Sequence, residues 1–360
     1  MKTINKNKIL IITPKYPKSY SGASIQNHKI NLLLANKYEF EILTRDDTKN
    51  SDFEGIKINR IKSTNSKFQF LNNLKWLLGS SFFILKNKNL FNIIHILGCD
   101  SLEVSLMPLI KFLKKPIVIK RAIAGEISGT FLKRLKSKII KYTASKIISI
   151  SEEISLELES LKTKKKIVKI PNGVYINNAK NFTPSVPTFS IIGIIRKRKG
   201  LFEGVQFLIN NNPFKKYKLL IAGPIYDNHY WLKVQLLLKN YNINYKYLSN
   251  LPNHKIQELL DESSFLISMS KKEGLPNIVL EALSNGVPVI CSNISPHREI
   301  VLNKVNGFIV EKNKKNDFLN FKYEKEYLDL SINAINSVKK FDIIKIKNKY
   351  DLLYSSLLKD

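Results

Sequence analysis

Two glutamates separated by seven residues, Glu273 and Glu281, are the side chains best placed by type and spacing to do chemistry. They lie in SMSKKEGLPNIVLEALSNGVPVICS, residues 268–292, which reads as strand, loop, helix and strand. Gly274 lets a backbone approach a ligand closely. Pro276 falls near the helix start, where a missing N–H costs nothing. The free N–H groups and positive dipole end of that helix suit a phosphate. Glu281, about one turn inside the helix, can accept two hydroxyls, as from a ribose. Glu273 in the loop can accept hydroxyls from a sugar. Either glutamate alone is compatible with a solvated surface; the whole string points to a ligand with phosphate and hydroxyl groups.

A second constellation is Ile195-Arg196-Lys197-Arg198-Lys199-Gly200, after an apolar run. Cations in a strand-to-helix loop neutralise a diphosphate, and Arg does so bidentately. Charge developing on a leaving diphosphate needs such stabilisation for the bond to break. A solvated basic loop in a basic protein is the alternative. No metal is expected. The chain has no Asp-x-Asp motif, and His28, His95, His229, His254 and His297 show no ligand spacing. His95, in NIIHIL, reads as structural. Cys99 and Cys291 form neither a disulfide framework nor a zinc motif. No P-loop or Ser-His-Asp set is evident.

Apolar runs and helical spacing alternate along the chain that must hold these residues. Strands are expected at 8–13, 40–44, 56–61, 92–97, 116–120, 146–150 and 168–170. Between them come helices at 25–36, 68–87, 102–113 and 131–143, with another after Ser151, read as its N-cap with Glu152 and Glu153 in the first turn. The polar stretch 177–187 reads as a linker. The pattern restarts with strands at 189–195, 218–222, 245–248, 265–269, 288–292 and 307–310. Helices start at Leu201 and span 230–240, 256–261 and 279–285. Residues 327–358 are helical with a break near Phe341-Asp342. This alternation indicates α/β architecture with doubly wound parallel sheets. The expected division is an N-terminal domain at 1–176, a second domain at 188–340 and a C-terminal helix at 341–360.

The string Glu-Gly-x-Pro-x-x-x-x-Glu-Ala, followed by Gly-x-Pro-Val, resembles the motif of the retaining glycosyltransferases of family 4 (glycosyl transferases group 1). Segments 249–260 and 301–310 and Pro171-Asn172-Gly173-Val174 resemble that family's flanking regions. The resemblance is good over about 170–312 and looser in the first half. It implies the GT-B fold, two Rossmann-like domains facing a central cleft, and transfer of a hexose from a UDP- or GDP-linked donor. It also implies that the second domain binds the nucleotide sugar, that the C-terminal helix packs back on the first domain, and that Glu273 touches the donor sugar. Gly274, Leu275, Pro276 and Asn277 would bring backbone near sugar or phosphate, Glu281 would hold the ribose, and Arg196 and Lys199 would clamp the diphosphate. Ser21-Gly22-Ala23 resembles the family's glycine loop, which makes Gly22 a donor-binding candidate. Many family members carry a histidine in the loop matching 120–126. This chain has none there, which leaves Arg121, Gly125 and Glu126 as candidates, or a plain surface loop.

The 360 residues carry 59 Lys and Arg against 29 Asp and Glu, a net charge of +30. Lys, Asn and Ile are abundant throughout, as compositional drift would produce, yet such a field attracts anionic partners whatever its origin. The basic stretches 111–120 and 133–146, with the aromatic-rich 68–91, suit an anionic membrane leaflet. No apolar run approaches the ~18 residues of a spanning helix, and 9–12 is too short for a signal-peptide core. The expectation is a cytoplasmic protein, peripheral on the inner face of the plasma membrane. It would act on a saccharide or lipid-linked saccharide acceptor in envelope polysaccharide synthesis, with the nucleotide sugar as substrate and no cofactor. Three alternatives stand: a sugar-nucleotide epimerase or a phosphorylase on the same fold, a GT-B sugar-nucleotide-binding protein without transferase activity, and a nucleic-acid-binding protein, disfavoured because the lysines are dispersed and form no recognised module.

Overall fold

The computed structural model describes residues 6–16, 22–45, 52–61, 69–98, 101–125, 130–177, 183–249, 251–311 and 316–359. The chain forms two compact units, 1–172 with 344–360, and 173–343. The first contains β1 (Asn7–Thr13), α1 (Gly22–Leu34), β2 (Tyr38–Thr44), β3 (Asp52–Phe53), β4 (Ile56–Arg60), α2 (Gln69–Lys86) and β5 (Ile93–Leu97). It continues through α3 (Ser101–Ser105), α4 (Met107–Phe112), β6 (Ile117–Arg121), α5 (Phe131–Thr143), β7 (Lys146–Ser149), α6 (Glu152–Ser160) and β8 (Ile167–Lys169). The second contains β9 (Thr188–Ile192), α7 (Leu201–Asn211), β10 (Lys218–Ala222), α8 (Asn228–Asn240), β11 (Lys246–Leu248), α9 (Asn253–Glu262) and β12 (Phe265–Ser268). Then follow α10 (Asn277–Ser284), β13 (Val289–Ser292), α11 (Ser295–Arg298), β14 (Gly307–Val310), α12 (Tyr323–Val338) and α13 (Ile343–Leu357).

The eight-stranded sheet of the first unit has the order β3-β4-β2-β1-β5-β6-β7-β8, and the six-stranded sheet of the second β11-β10-β9-β12-β13-β14. Every pairing is parallel except the short β3–β4 ladder. Strands covered on both faces read as unbroken apolar runs, and Ile9 to Ile12 are indeed wholly buried. Both sheets reverse direction beside their first strand, at β1 and at β9, which makes the loops after those strands the natural ligand positions. In the second unit Phe189 and Phe265 stack at 5.5 Å within an aromatic core that includes Phe318.

Two local expectations are corrected. The helix at 102–113 is two short ones, α3 and α4, because Pro108 in the first turn of α4 cannot continue the hydrogen-bond ladder of α3. Ser151 occupies the N-cap of α6 but its side chain makes no capping hydrogen bond. Ser155 Oγ donates to the Ser151 carbonyl instead. Residues 178–182 of the expected linker lie outside the described residues.

Helix α13 belongs to the first unit. Tyr350 and Tyr354 are fully buried there, and the Tyr354 hydroxyl lies 2.8 Å from His95 Nδ1. Tyr38 donates to Asp351 at 2.7 Å. Lys120, also buried, donates to Asn172 Oδ1 at 3.1 Å and sits 5.8 Å over the Tyr350 ring. Within the second unit the chain segments next to the two crossings pair: Val174 N–H donates to the Phe341 carbonyl, and Ile343 N–H to that of Val174.

Candidate functional site

The basic loop after β9 and the glutamate-bearing loop after β12 are joined along their length. Gly200 makes this possible. Its φ of +69° is a left-handed conformation, and a Cβ on it would stand 1.8 Å from the Met269 carbonyl oxygen. Only glycine lets the start of α7 come this near the β12 loop. From that weld, Lys271 N–H donates to the Arg198 carbonyl at 2.9 Å. Arg198 Nη1 in turn donates to the Lys272 carbonyl at 2.9 Å. The zipper ends in an ion pair, Lys199 Nζ to Glu273 Oε1, at 2.6 Å. A parallel device brings β9 and β10 together: a Cβ on Gly223, at φ +138°, would lie 2.0 Å from the Gly193 carbonyl oxygen.

Glu273 is only 8% exposed. Burial opposes its ionisation, but the Lys199 ammonium, with Ser270 and Arg198, outweighs burial and holds the carboxyl below its ordinary range. Arg196 is half-buried. Desolvation, and then the nearby Arg198 charge, lower its pKa, while Glu273 and Tyr226 oppose the shift. Arg196 Nε is buried with no hydrogen-bond partner among the described residues. Two cations and one carboxylate thus converge at the carboxyl ends of β9 and β12. Lys199 shares the wall of a concave pocket there with Gly193, Ile194, Ser270 and Ile278.

Gly274, Leu275 and Pro276 are buried, and Pro276 is the N-cap of α10, with Asn277 its first residue. Glu281 is half-buried in the second turn of that helix. The structure therefore brings Arg196, Lys199, Glu273 and the 274–277 segment onto neighbouring loops of one unit. His297 is a residue the sequence pattern does not single out. It is fully buried on α11, and its Nδ1 donates to the Ser292 carbonyl at 2.9 Å, which leaves Nε2 to accept from Ser268 Oγ at 3.3 Å. Burial keeps it below the ordinary histidine range. It holds the end of β12 from behind, a role its sequence position does not signal.

In the first unit Gly22 is the first residue of α1. Arg121 is fully buried at the end of β6, and its Nη2 lies 2.9 Å from Glu157 Oε2. The same oxygen accepts the Gly125 N–H at 3.0 Å, while Lys133 Nζ donates to the Gly125 carbonyl. Arg121 and Gly125 thereby shape the loop. Glu126 and Ser21 lie outside the described residues. Among the described residues no cluster of three or more His, Cys, Asp or Glu side chains could hold a metal ion. None of the helices among them is long and apolar enough to cross a membrane.

Residues 176–321 match the family model for glycosyl transferases group 1. The UDP-Gal:alpha-D-GlcNAc-diphosphoundecaprenol alpha-1,3-galactosyltransferase of Escherichia coli is 27% identical over 218 residues. That match takes in 51% of this chain and 54% of the relative, so the chain spans about half the relative's length. An uncharacterized glycosyltransferase of Methanocaldococcus jannaschii is 26% identical over 328 residues, 86% of each chain. Among solved structures, Anabaena HepE in complex with UDP-glucose superposes with a TM-score of 0.79 at 15% identity, over 97% of this chain and 99% of that one. The chain thus has the GT-B fold, and its residues 176–321 are similar to glycosyl transferases group 1.

Proposed function

We propose that the protein is a retaining, family-4-type glycosyltransferase. It moves a hexose from a nucleoside-diphosphate sugar, UDP-linked before GDP-linked, to a saccharide or lipid-linked saccharide acceptor of the cell envelope. The observation that carries this reading is the welded pair of loops, with Arg196, Lys199 and Glu273 at the carboxyl ends of β9 and β12 beside the N-terminus of α10. The names of similar proteins support the donor and acceptor classes: one relative uses UDP-Gal and a diphosphoundecaprenol-linked sugar, and a structural neighbour holds UDP-glucose.

In this reading the donor diphosphate lies against Arg196, Lys199 and the start of α10, where fixed positive charge faces it. The bond from the anomeric carbon to the diphosphate oxygen breaks, and its electron pair stays on the diphosphate. The acceptor hydroxyl attacks from the face the diphosphate leaves, and its proton passes to a diphosphate oxygen. The protein's contribution is positioning and charge stabilisation. Lys199 links the two halves of the site, because Glu273 fixes its ammonium while the carboxylate orients a sugar hydroxyl. Glu281 holds the ribose. No metal enters this scheme.

The test incubates the protein with UDP-galactose, UDP-glucose, UDP-N-acetylglucosamine or GDP-mannose and a polyprenyl-diphosphate-linked sugar. Released nucleotide and the anomeric configuration of the product are read by NMR. Acceptor-dependent release with a retained anomer supports the proposal. An inverted product refutes the retaining mechanism, and tight nucleotide binding without turnover on any acceptor refutes the transferase assignment.

A further inference from the structure

Helix α2 turns an apolar face outward. Phe70, Leu71, Leu74, Leu78, Phe82 and Leu85 are all exposed, with Phe70 at 74%, Leu78 at 61% and Phe82 at 67%. At about 100° per residue these six fall within an arc of roughly 120°. Trp76, Ser80 and Ile84 form the buried face, and the exposed Lys75 and Lys86 border the outward stripe. A helix on a protein surface ordinarily shows the reverse, apolar inside and charged outside. In this 18-residue helix the stripe, from Phe70 to Leu85, runs about 22 Å.

Helix α5 repeats the arrangement. Phe131, Leu135 and Tyr142 line the middle of its exposed face, beside the exposed Arg134 and Lys138. Neither helix contains an Asp or Glu. The connections β4 to β5, β5 to β6 and β6 to β7 all step the same way across the sheet. Right-handed crossovers therefore put α2, α4 and α5 on one side of it. Helix α4 touches α5 and adds Phe112, 83% exposed, next to Lys111.

An exposed apolar area of this extent marks an interaction surface. Its charge selects the occupant. Apolar stripes flanked by cations and free of acids complement acyl chains beneath a layer of phosphate headgroups. The geometry points to the α2–α5 face of the first unit as a docking surface for an anionic lipid bilayer, with both helices lying in the headgroup plane. This deepens the proposed function by presenting the enzyme to a lipid-linked acceptor, and it rests on no feature of the donor site.

The experiment is flotation of the full chain with vesicles of phosphatidylglycerol and phosphatidylcholine, or of phosphatidylcholine alone, at low and high salt. The wild type floats with the anionic vesicles and is released by salt. Two variants, Phe70→Ser/Leu78→Ser/Phe82→Ser and Arg134→Glu/Lys138→Glu, each lose about tenfold or more of vesicle partitioning. Their melting curves and nucleotide-induced thermal shifts stay as in the wild type, because every altered side chain is exposed. A wild type that stays in the buffer fraction, or a triple serine variant that floats like the wild type, overturns the assignment. So does a dimer dissolved by that variant in the absence of lipid binding, which would give the face to a second copy. Loss of the nucleotide shift with flotation intact would count against the donor-site reading alone.

Discussion

Replacing Lys199 by Met separates two roles that the wild-type structure combines. At 2.6 Å the Lys199–Glu273 pair attracts by about 6 kcal/mol at an effective dielectric near 20. Most of that offsets desolvation of the two groups, since Glu273 is 8% exposed. Removing only the ammonium leaves a buried carboxylate without its cation, and the expected loss is about 3 kcal/mol of stability. In a unit of this size that lowers Tm by about 6–12 °C. The pH dependence changes sign. In the wild type the Glu273 pKa is depressed, so its contribution is present above the unfolded carboxyl value of about 4.3 and fades as pH falls through the lower folded value. In Lys199→Met burial acts with less opposition and raises the pKa, so the variant is restabilised as pH falls toward the unfolded carboxyl value. The double variant Lys199→Met/Glu273→Gln has no buried charge to strand and recovers most of the lost Tm. Its kcat nevertheless stays about 10²–10³ below wild type, because the leaving diphosphate has lost a cation. Calorimetric scans across pH, with nucleotide-release kinetics on the three variants, decide the matter. An unchanged Tm in the single variant, or full activity in the double one, would refute the reasoning.

Gly200→Ala puts a methyl 1.8 Å from the Met269 carbonyl oxygen and adds a left-handed backbone cost of about 1 kcal/mol or more. It should weaken nucleotide binding by about tenfold, equivalent to about 1.4 kcal/mol; a wild-type Kd by calorimetry would contradict this. Glu281→Ala should abolish the thermal shift from UDP, which at one hundred times Kd amounts to about 2.7 kcal/mol in the wild type. An undiminished shift would remove Glu281 from the ribose site. Burial lowers the Lys120 pKa to about 8 from its ordinary 10.5. The unfolded chain therefore binds more protons between these values, and stability rises with pH from about 8 to 10.5. Denaturant titrations should show that slope in the wild type and lose it in Lys120→Met.

The doubly wound architecture was legible because buried parallel strands leave unbroken apolar runs such as KILIIT, and because strand-to-helix alternation admits few sheet topologies. The glutamate motif and the basic loop were legible as separate strings. Their junction was not, since nothing in either string announces that Gly200 must pass under the Met269 carbonyl. The same limit applies to Arg121, whose partner Glu157 is 36 residues away, and to His297, whose partners Ser268 and Ser292 lie on two different strands. Pairing of side chains is decided by tertiary placement, which local pattern does not encode. Ser151 shows this at short range: the right residue type at the right position makes no capping bond, and the hydroxyls of Ser149 and Ser155 donate to its carbonyl instead.

The paired segments at Val174 and at Phe341 to Ile343 have a consequence for biosynthesis. The first unit takes its final helix, α13, from chain made after the whole of the second unit. During translation residues 1–172 therefore wait, with the surfaces that will receive Tyr350 and Tyr354 uncovered, while the later segment 173–343 already holds every strand and helix it needs. The order of completion inverts the order of synthesis. A nascent chain halted after residue 343 should resist protease over its second unit and be cut in its first. The residues open to attack there would include Tyr38 and His95, which α13 closes over through Asp351 and Tyr354.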